Sequence, residues 1–294
     1  MKTVRHWIEY AFLRTFVAIF DCLPLNWSFA VCSGLGRFLF LVARKRRSIA
    51  IENILAAGIT TDREEATRIA RDSFVHFSCV FLETLQAGRV FKGGDWSDRV
   101  DYEVSDELEA VFQDDSTGLI LASAHYGNWE VAGQLVSMKK PIVGIARPMN
   151  NPYSERLMQK RRTQNRLRMV PKHDVDFSRF GRAIRGGEAL AVMIDQRAPE
   201  RQGVMIDFFG QPAPTHKAIA FLHLMTKAPL CFGYGRRTGP MRYEMRAVGP
   251  IHFEKSGDRD ADVKRILDWL TQELEAVIRR DPSQYLWFHR RWRK

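Results

Sequence analysis

Apolar residues recur along the chain with two different periods, and these divide it into a helical first third and an alternating remainder. Helical spacing runs through positions 66–85, after a capping box formed by Thr61 and Glu64 and before a stop at Gly88. From Gly118 onward, short apolar runs of strand length alternate with helical segments. This alternation predicts an α/β fold with a largely parallel central sheet flanked by helices.

The predicted elements after Gly118 follow one another at short intervals. The strand-like runs are GLILASA, PIVGIA, ALAVMID, APLCFGYGRR and MRYEMRAVG. Helical patterns cover NWEVAGQLVSM, residues 151 to about 166, FSRFGRAIRGGE, THKAIAFLHLMTK and DADVKRILDWLTQELEAVIRR. The proline-rich stretch before THKAIAF is interpreted as a loop.

The N-terminus is apolar but interrupted by charge. Residues 7–23 contain Glu9, Arg14 and Asp21, whereas the run WSFAVCSGLGRFLFLVA at 27–43 has Arg37 as its single charge. As a helix this run spans about 25 Å, slightly less than the ~30 Å hydrocarbon core of a bilayer. The pattern fits a buried helical hairpin or an interfacial or re-entrant anchor, and the RKRR that follows favours the membrane. We therefore expect a membrane-association segment at 1–47 and a single domain at 48–294.

Charge narrows the choice of partners. The 294 residues include 45 Lys and Arg against 34 Asp and Glu, a formal net charge of +11. Such a surface suits nucleic acid, acidic lipid headgroups or an acidic carrier protein. Composition alone does not rank these three.

The stretch SAHYGNWE carries the candidate chemistry, because His125 follows a buried strand and Glu130 lies five positions later. Asp195 closes another strand-like run, and the carboxyl ends of parallel strands share one sheet edge. On one regular helix the side chains of His125 and Glu130 would diverge by about 140°. The pair therefore requires a strand-to-helix turn near Asn128, which Gly127 permits. A histidine base oriented by a carboxylate is one interpretation, and a satisfied histidine at a strand end is the other.

The sequence around His125 also resembles a known family. HYGNWE is similar to the H-x₄-[DE] motif of glycerolipid and lysophospholipid-type acyltransferases. Further segments resemble, in order, the lipid A biosynthesis late (secondary) acyltransferases within that group. They are ARPMNNP (146–152), VMIDQR (192–197), GVMIDFFGQPAPTHK (203–217) and QYLWFHRRWR (284–293).

This resemblance implies a reaction and a set of roles. The family transfers a fatty acyl chain from a thioester donor, usually an acyl carrier protein, to a hydroxyl of a lipid A precursor. That reaction would place the chain at the cytoplasmic face of the cell inner membrane, with no cofactor and no metal. His125 would deprotonate the acceptor hydroxyl and Glu130 would orient it. The resemblance assigns substrate binding or transition-state support to Arg162 (or its neighbour Arg161), Asp195, Arg147 and Asn128.

Other interpretations use the same residues. An acyl-coenzyme A-dependent transferase acting on a phosphoinositide mannoside or a lysophospholipid would need the same pair, and donor hydrolysis would replace the acceptor by water. A basic nucleic-acid-binding protein is more distant, since no recognisable binding module accompanies the basic runs. The remaining histidines, His76 among them, are interpreted as packing or surface residues, and His289 as structural or in contact with a headgroup.

Overall fold

The computed structural model describes residues 2–91, 96–146, 148–162, 166–171 and 176–292, with the backbone alone described at Lys2 and Arg162. The first three helices lie near the N-terminus, and a long fourth helix packs against them. In chain order the helices are α1 Lys2–Cys22, α2 Leu25–Val42, α3 Arg44–Ala56, α4 Arg63–Val90, α5 Asp106–Gln113, α6 Trp129–Lys139, α7 Pro152–Arg162, α8 Phe177–Arg185, α9 Ala218–Thr226 and α10 Arg259–Arg280.

A seven-stranded sheet forms the centre of the molecule, and a two-stranded ribbon lies apart from it. The strands are β1 Val100–Glu103, β2 Leu119–Ser123, β3 Ile142–Ala146, β4 Leu167–Pro171, β5 Ala189–Met193, β6 Gly203–Phe208, β7 Gln211–His216, β8 Leu230–Gly239 and β9 Arg242–Ile251. The order in the large sheet is β1-β9-β8-β2-β5-β3-β4. All neighbours pair in parallel except β8 and β9. The predicted α/β class with a largely parallel sheet is confirmed.

Two regions differ from the sequence prediction. Residues 203–214, within the stretch interpreted as a loop, form the β6–β7 hairpin together with Thr215 and His216, which the sequence assigned to a helix. Both strands of this hairpin are edge strands. Pro212 and Pro214 fit there because proline has no backbone N–H, and an edge strand does not need that donor on its unpaired side. The helix expected up to about 166 ends at Arg162, and β4 follows at the sheet edge.

The long helix α4 begins one residue later than the capping box predicted. The side chain of Asp62 accepts hydrogen bonds from the backbone N–H groups of Glu64 and Glu65, so Asp62 is the N-cap in place of Thr61. The helix also continues past Gly88 to Val90. This single element of 28 residues therefore reaches from the N-terminal helices to the sheet.

Helix α2 packs one face against α4 and leaves the other exposed. The backbones approach closely at Gly36, where an added Cβ would lie 2.5 Å from Val75 Cα. Among the described residues, α2 is the one helix whose length and mean hydropathy would suffice to cross a membrane, and 28% of it is buried. Its outward apolar side chains include Trp27, Phe38 and Leu41.

Candidate active site

Strand register brings His125 and Asp195 together. Strands β2 and β5 are parallel neighbours, and Ser123 pairs with Met193 at their carboxyl ends. Two residues beyond these strand ends lie His125, after β2, and Asp195, after β5. The backbone N–H of Ile194 donates to the Ser123 carbonyl at 2.9 Å, so the pairing persists into these loops. The two side chains thus meet at the strand ends, where ligands gather in parallel sheets.

The His125 ring is held directly by Asp195. Nδ1 of His125 lies 2.9 Å from Oδ1 of Asp195, and the backbone N–H of His125 donates to Oδ2 at 3.1 Å. Asp195 is 1% exposed, whereas the His125 side chain is 17% exposed. A buried ionised carboxylate can only accept, so Nδ1 carries the proton and the lone pair is on Nε2. His125, the more exposed of the two residues, is therefore the one that can act as a base.

Electrostatics keep Asp195 ionised and make His125 a stronger base. Burial lowers the pKa of His125, but the charge of Asp195, its hydrogen bond and the charge of Glu130 together hold the pKa above its ordinary value. Burial raises the pKa of Asp195, but the His125 charge and the hydrogen bonds from His125 keep it below its ordinary value. Asp195 is therefore ionised at neutral pH and stabilises an imidazolium at His125.

A tight turn connects β2 to α6 and presents His125. Gly127 has φ +58°, and a Cβ on it would lie 2.0 Å from the Gly235 carbonyl oxygen. Its N–H donates to the Gln284 carbonyl at 3.0 Å, and the next N–H, of Asn128, donates to the Gly235 carbonyl at 2.8 Å. The turn is therefore fixed on both sides, by β8 and by the C-terminal segment.

Glu130 and Asn128 lie where the sequence predicted, at the start of the helix after this turn. Asn128 is the N-cap of α6, its Oδ1 accepting from the Val131 N–H at 3.0 Å. Glu130 lies in the first turn of α6, and its charge helps to raise the pKa of His125. The carboxylate bonded to Nδ1 of His125 is that of Asp195. The orienting role of Glu130 stays a prediction.

The candidate arginines differ in what surrounds them. Arg161 donates from Nη1 and Nη2 to the Asp21 carboxylate, at 3.3 and 2.5 Å, and from Nη1 to the Leu85 carbonyl at 3.2 Å. It thereby ties α7 to α1 and α4. Arg162 ends α7, and its side chain and Arg147 lie outside the described parts of the chain. The roles proposed for both stay predictions.

The structure adds neighbours of His125 that sequence reasoning missed. Nε2 of Gln196 lies 3.4 Å from Nε2 of His125, and the Trp129 ring centroid lies 4.7 Å from that of His125. The backbone N–H of Leu286 donates to the His125 carbonyl at 3.2 Å, which places the C-terminal segment beside the site. Burial lowers the pKa of His289 there, while the charge of Asp195 raises it. The spacing H-x₄-E draws attention to neighbours along the chain, whereas these contacts come from the fold.

The arrangement supports proton transfer at Nε2. Asp195 fixes the tautomer and the turn fixes the ring position. The His125 side chain is 17% exposed, and the Gln196 amide contacts its Nε2. A hydroxyl placed at Nε2 would find a base whose conjugate acid is stabilised by the carboxylate behind it. Among the described residues, no three His, Cys, Asp or Glu side chains are grouped to hold a metal ion.

Comparison with known proteins shows a family that matches the whole chain. Residues 1–294 match the family described as bacterial lipid A biosynthesis acyltransferase. The chain is 22% identical to the lipid A biosynthesis lauroyltransferase of Escherichia coli, over 98% of this chain and 92% of that protein. It is 23% identical to the palmitoleoyltransferase of the same organism, over 85% and 79% of the two chains. A Haemophilus influenzae lipid A biosynthesis acyltransferase is 22% identical over 98% and 89%. The chain belongs to the bacterial lipid A biosynthesis acyltransferase family and is an O-acyltransferase.

Proposed function

We propose that this acyltransferase of lipid A biosynthesis moves a fatty acyl chain from an acyl-carrier-protein thioester to a hydroxyl of a lipid A precursor. His125 acts as the general base. The observation that carries the assignment is the bond of 2.9 Å between Nδ1 of His125 and Asp195, which leaves Nε2 as the basic atom at the carboxyl edge of the sheet. Family membership supports the reaction class and the acceptor.

The proton would make one cycle through Nε2. As the acceptor oxygen attacks the thioester carbonyl carbon, its proton passes to Nε2 of His125. When the tetrahedral intermediate collapses, the C–S bond breaks and the leaving thiolate takes that proton. Asp195 stabilises the imidazolium between these steps, and Glu130 adds a second negative charge nearby. A positioned base of this kind contributes about 10²–10⁴-fold to a rate.

Arg162 is our candidate for stabilising the developing oxyanion or binding a phosphate of the acceptor. Guanidinium groups suit both tasks because their donors are fixed in a fork. Its neighbour Arg161 is engaged by Asp21 and the Leu85 carbonyl, which favours a structural role for Arg161.

The N-terminal helices would hold the enzyme at the anionic cytoplasmic surface of the inner membrane. The apolar side chains exposed on α1 and α2 include Phe12 at 75%, Trp27 at 69% and Phe38 at 57%. The basic run Arg44–Arg47 follows directly at the start of α3. Because the opposite face of α2 is packed on α4, we favour an in-plane orientation over a span. The net charge of +11 also suits an acidic carrier protein.

Vesicle binding tests the membrane assignment. Phe38→Glu should weaken sedimentation with anionic vesicles, whereas Phe177→Glu, which changes an exposed phenylalanine on α8, should not. Equal binding by both variants would contradict the proposed surface.

An acyl-transfer assay tests the reaction. Purified protein is given acyl-carrier-protein or coenzyme A thioesters and a tetra-acylated lipid A precursor, with lysophospholipid and phosphoinositide mannoside as alternative acceptors. We expect a mass gain of one acyl chain on the lipid A precursor with the carrier-protein donor, lost in His125→Ala. Transfer from coenzyme A to another acceptor alone would refute the donor and acceptor assignments.

A further inference from the structure

Helix α4 carries a stripe of buried polar side chains on the face that meets the active-site turn. Ser73, His76 and Glu83 are 0%, 6% and 0% exposed, and they fall within about 80° of arc on the helix. A helix face turned to a core is ordinarily apolar, and buried polar groups are tolerated there when each is hydrogen-bonded. The partners of this stripe are therefore informative.

His76 binds the turn itself. Its Nε2 lies 3.0 Å from the Gly127 carbonyl oxygen. Burial lowers the pKa of His76 to about 4, so the ring is neutral at pH 7 and donates an N–H from Nε2 to that carbonyl. The peptide group between Gly127 and Asn128 is thus held at its carbonyl by His76 and at its N–H by the Gly235 carbonyl. This peptide begins two residues after His125.

Glu83 fixes the next residue. Its Oε2 accepts from Nδ2 of Asn128 at 2.8 Å, and its Oε1 accepts from Nε of Arg237 at 2.7 Å and from the Met241 N–H at 3.1 Å. A carboxylate paired with a guanidinium can only accept, so it dictates which way the Asn128 amide faces. That orientation turns Oδ1 of Asn128 to the Val131 N–H, where it caps α6.

Helix α4 also binds the C-terminal segment that lies beside His125. The hydroxyl of Ser73 donates to the Tyr285 carbonyl at 2.7 Å, next to the residue whose N–H binds the His125 carbonyl. All three polar residues of the stripe therefore bind segments that surround His125.

We propose that His76 and Glu83 are positioning residues for acyl transfer, which hold the Gly127–Asn128 turn so that His125 meets the acceptor hydroxyl in a productive geometry. The inference rests on the proposed function of His125. Neither residue touches the reacting atoms, and both act through the turn.

Two substitutions of His76 that differ only in reach provide the test. In His76→Gln the side-chain amide places an N–H donor near the position of Nε2, within reach of the Gly127 carbonyl. The asparagine of His76→Asn is one methylene shorter than glutamine and does not reach that carbonyl. We expect His76→Asn to lower kcat about 10- to 100-fold at nearly unchanged KM, because a misplacement of about 1 Å can cost that much. His76→Gln should stay within about threefold of the wild type, since it retains the bond.

A matched control separates positioning from folding. His223 is another buried histidine, bonded to the Ala228 carbonyl and the Phe253 N–H. His223→Asn should lower the unfolding midpoint about as much as His76→Asn but leave kcat unchanged. If His76→Asn keeps the wild-type kcat, or if His76→Gln and His76→Asn lose kcat equally, the positioning role is refuted while the transferase assignment stands. A wild type that transfers no acyl chain would refute the proposed function and this inference together.

Glu83→Gln provides an independent variant in case His76→Asn does not fold. The amide can donate as well as accept, so it no longer dictates the orientation of Asn128. We expect kcat to fall about tenfold at constant KM, and a kcat within about twofold of the wild type would refute the role of Glu83.

Discussion

Asp195→Asn tests which carboxylate orients His125. Each oxygen of Asp195 accepts one hydrogen bond from His125, Oδ1 from the ring at 2.9 Å and Oδ2 from the backbone N–H at 3.1 Å. Asparagine offers one acceptor oxygen and an amide nitrogen that can only donate. One of the two donors of His125 therefore loses its partner, although the shape of the side chain is kept.

The size of the effect follows from that lost bond. A hydrogen bond to a charged group contributes about 1.5–3 kcal/mol, which corresponds to roughly a 10- to 150-fold loss in kcat if the transition state bears it. If the ring N–H is the donor that loses its partner, the wrong tautomer becomes stable and the loss approaches the ~10⁴-fold known for such triads. Glu130→Gln leaves both bonds in place, so we expect a smaller loss.

The pH profile gives a second readout. The proposed mechanism needs neutral His125, so activity should rise with pH through the pKa of that residue. The charge of Asp195 raises this pKa, and removing it lowers the pKa. The acid limb of the kcat profile should therefore move to lower pH in Asp195→Asn. Thioester release and acylated product, measured from about pH 5 to 9, report it.

A control and a contrary result complete this experiment. Asp262 is another buried aspartate, whose two oxygens accept from the Ser256 N–H at 3.2 and 3.0 Å, so Asp262→Asn should leave the pH profile unchanged. If Asp195→Asn keeps both kcat and the acid limb, and Glu130→Gln alters both, then Glu130 is the orienting carboxylate and our reasoning is wrong.

Three further predictions concern the turn, the arginines and stability. Gly127→Ala should abolish transfer and lower the unfolding midpoint, since φ is +58° and the Cβ would meet the Gly235 carbonyl; Gly133→Ala, with open space around it in α6, should stabilise by about 0.5–1 kcal/mol. Arg162→Ala should lower kcat, whereas Arg161→Ala should mainly lower the unfolding midpoint; the reverse would exchange their roles. Because the pKa of His76 falls to about 4 on folding, the unfolded chain binds that proton first, and stability should drop by about 3 kcal/mol as pH falls from about 6.5 to 4. Urea midpoints of the wild type and His76→Gln should diverge over this range, and parallel curves would contradict the assignment.

The sequence predicted the parts of the site that depend on local pattern. Apolar runs placed β2 and β5, and with them His125 and Asp195, at one edge of a parallel sheet. The turn at Gly127 and the helix start at Asn128 follow from glycine and capping chemistry, and both are present. These features depend on residues within a few positions of one another, so the printed sequence contains the necessary information.

The bond between His125 and Asp195 depends on information that the local pattern lacks. Strands β3 and β4 intervene in the chain between β2 and β5, yet β2 and β5 are neighbours in the sheet. A shift of one residue in their register would turn the two side chains to opposite faces. Spacing favoured Glu130 because it is close along the chain, whereas Asp195 is 70 positions away.

The contacts of the polar stripe of α4 also could not be predicted from the local sequence pattern. Spacing alone predicts a buried amphipathic helix there, and His76 then has no evident use beyond packing. Only the tertiary structure shows that its ring meets the Gly127 carbonyl and that Glu83 meets Asn128. Helix α4 also packs against α2. The helix whose side chains hold the turn after His125 is therefore the one that contacts the proposed membrane anchor. A rigid α4 would therefore set the distance between the proposed base, His125, and the membrane surface at which we propose that α2 lies.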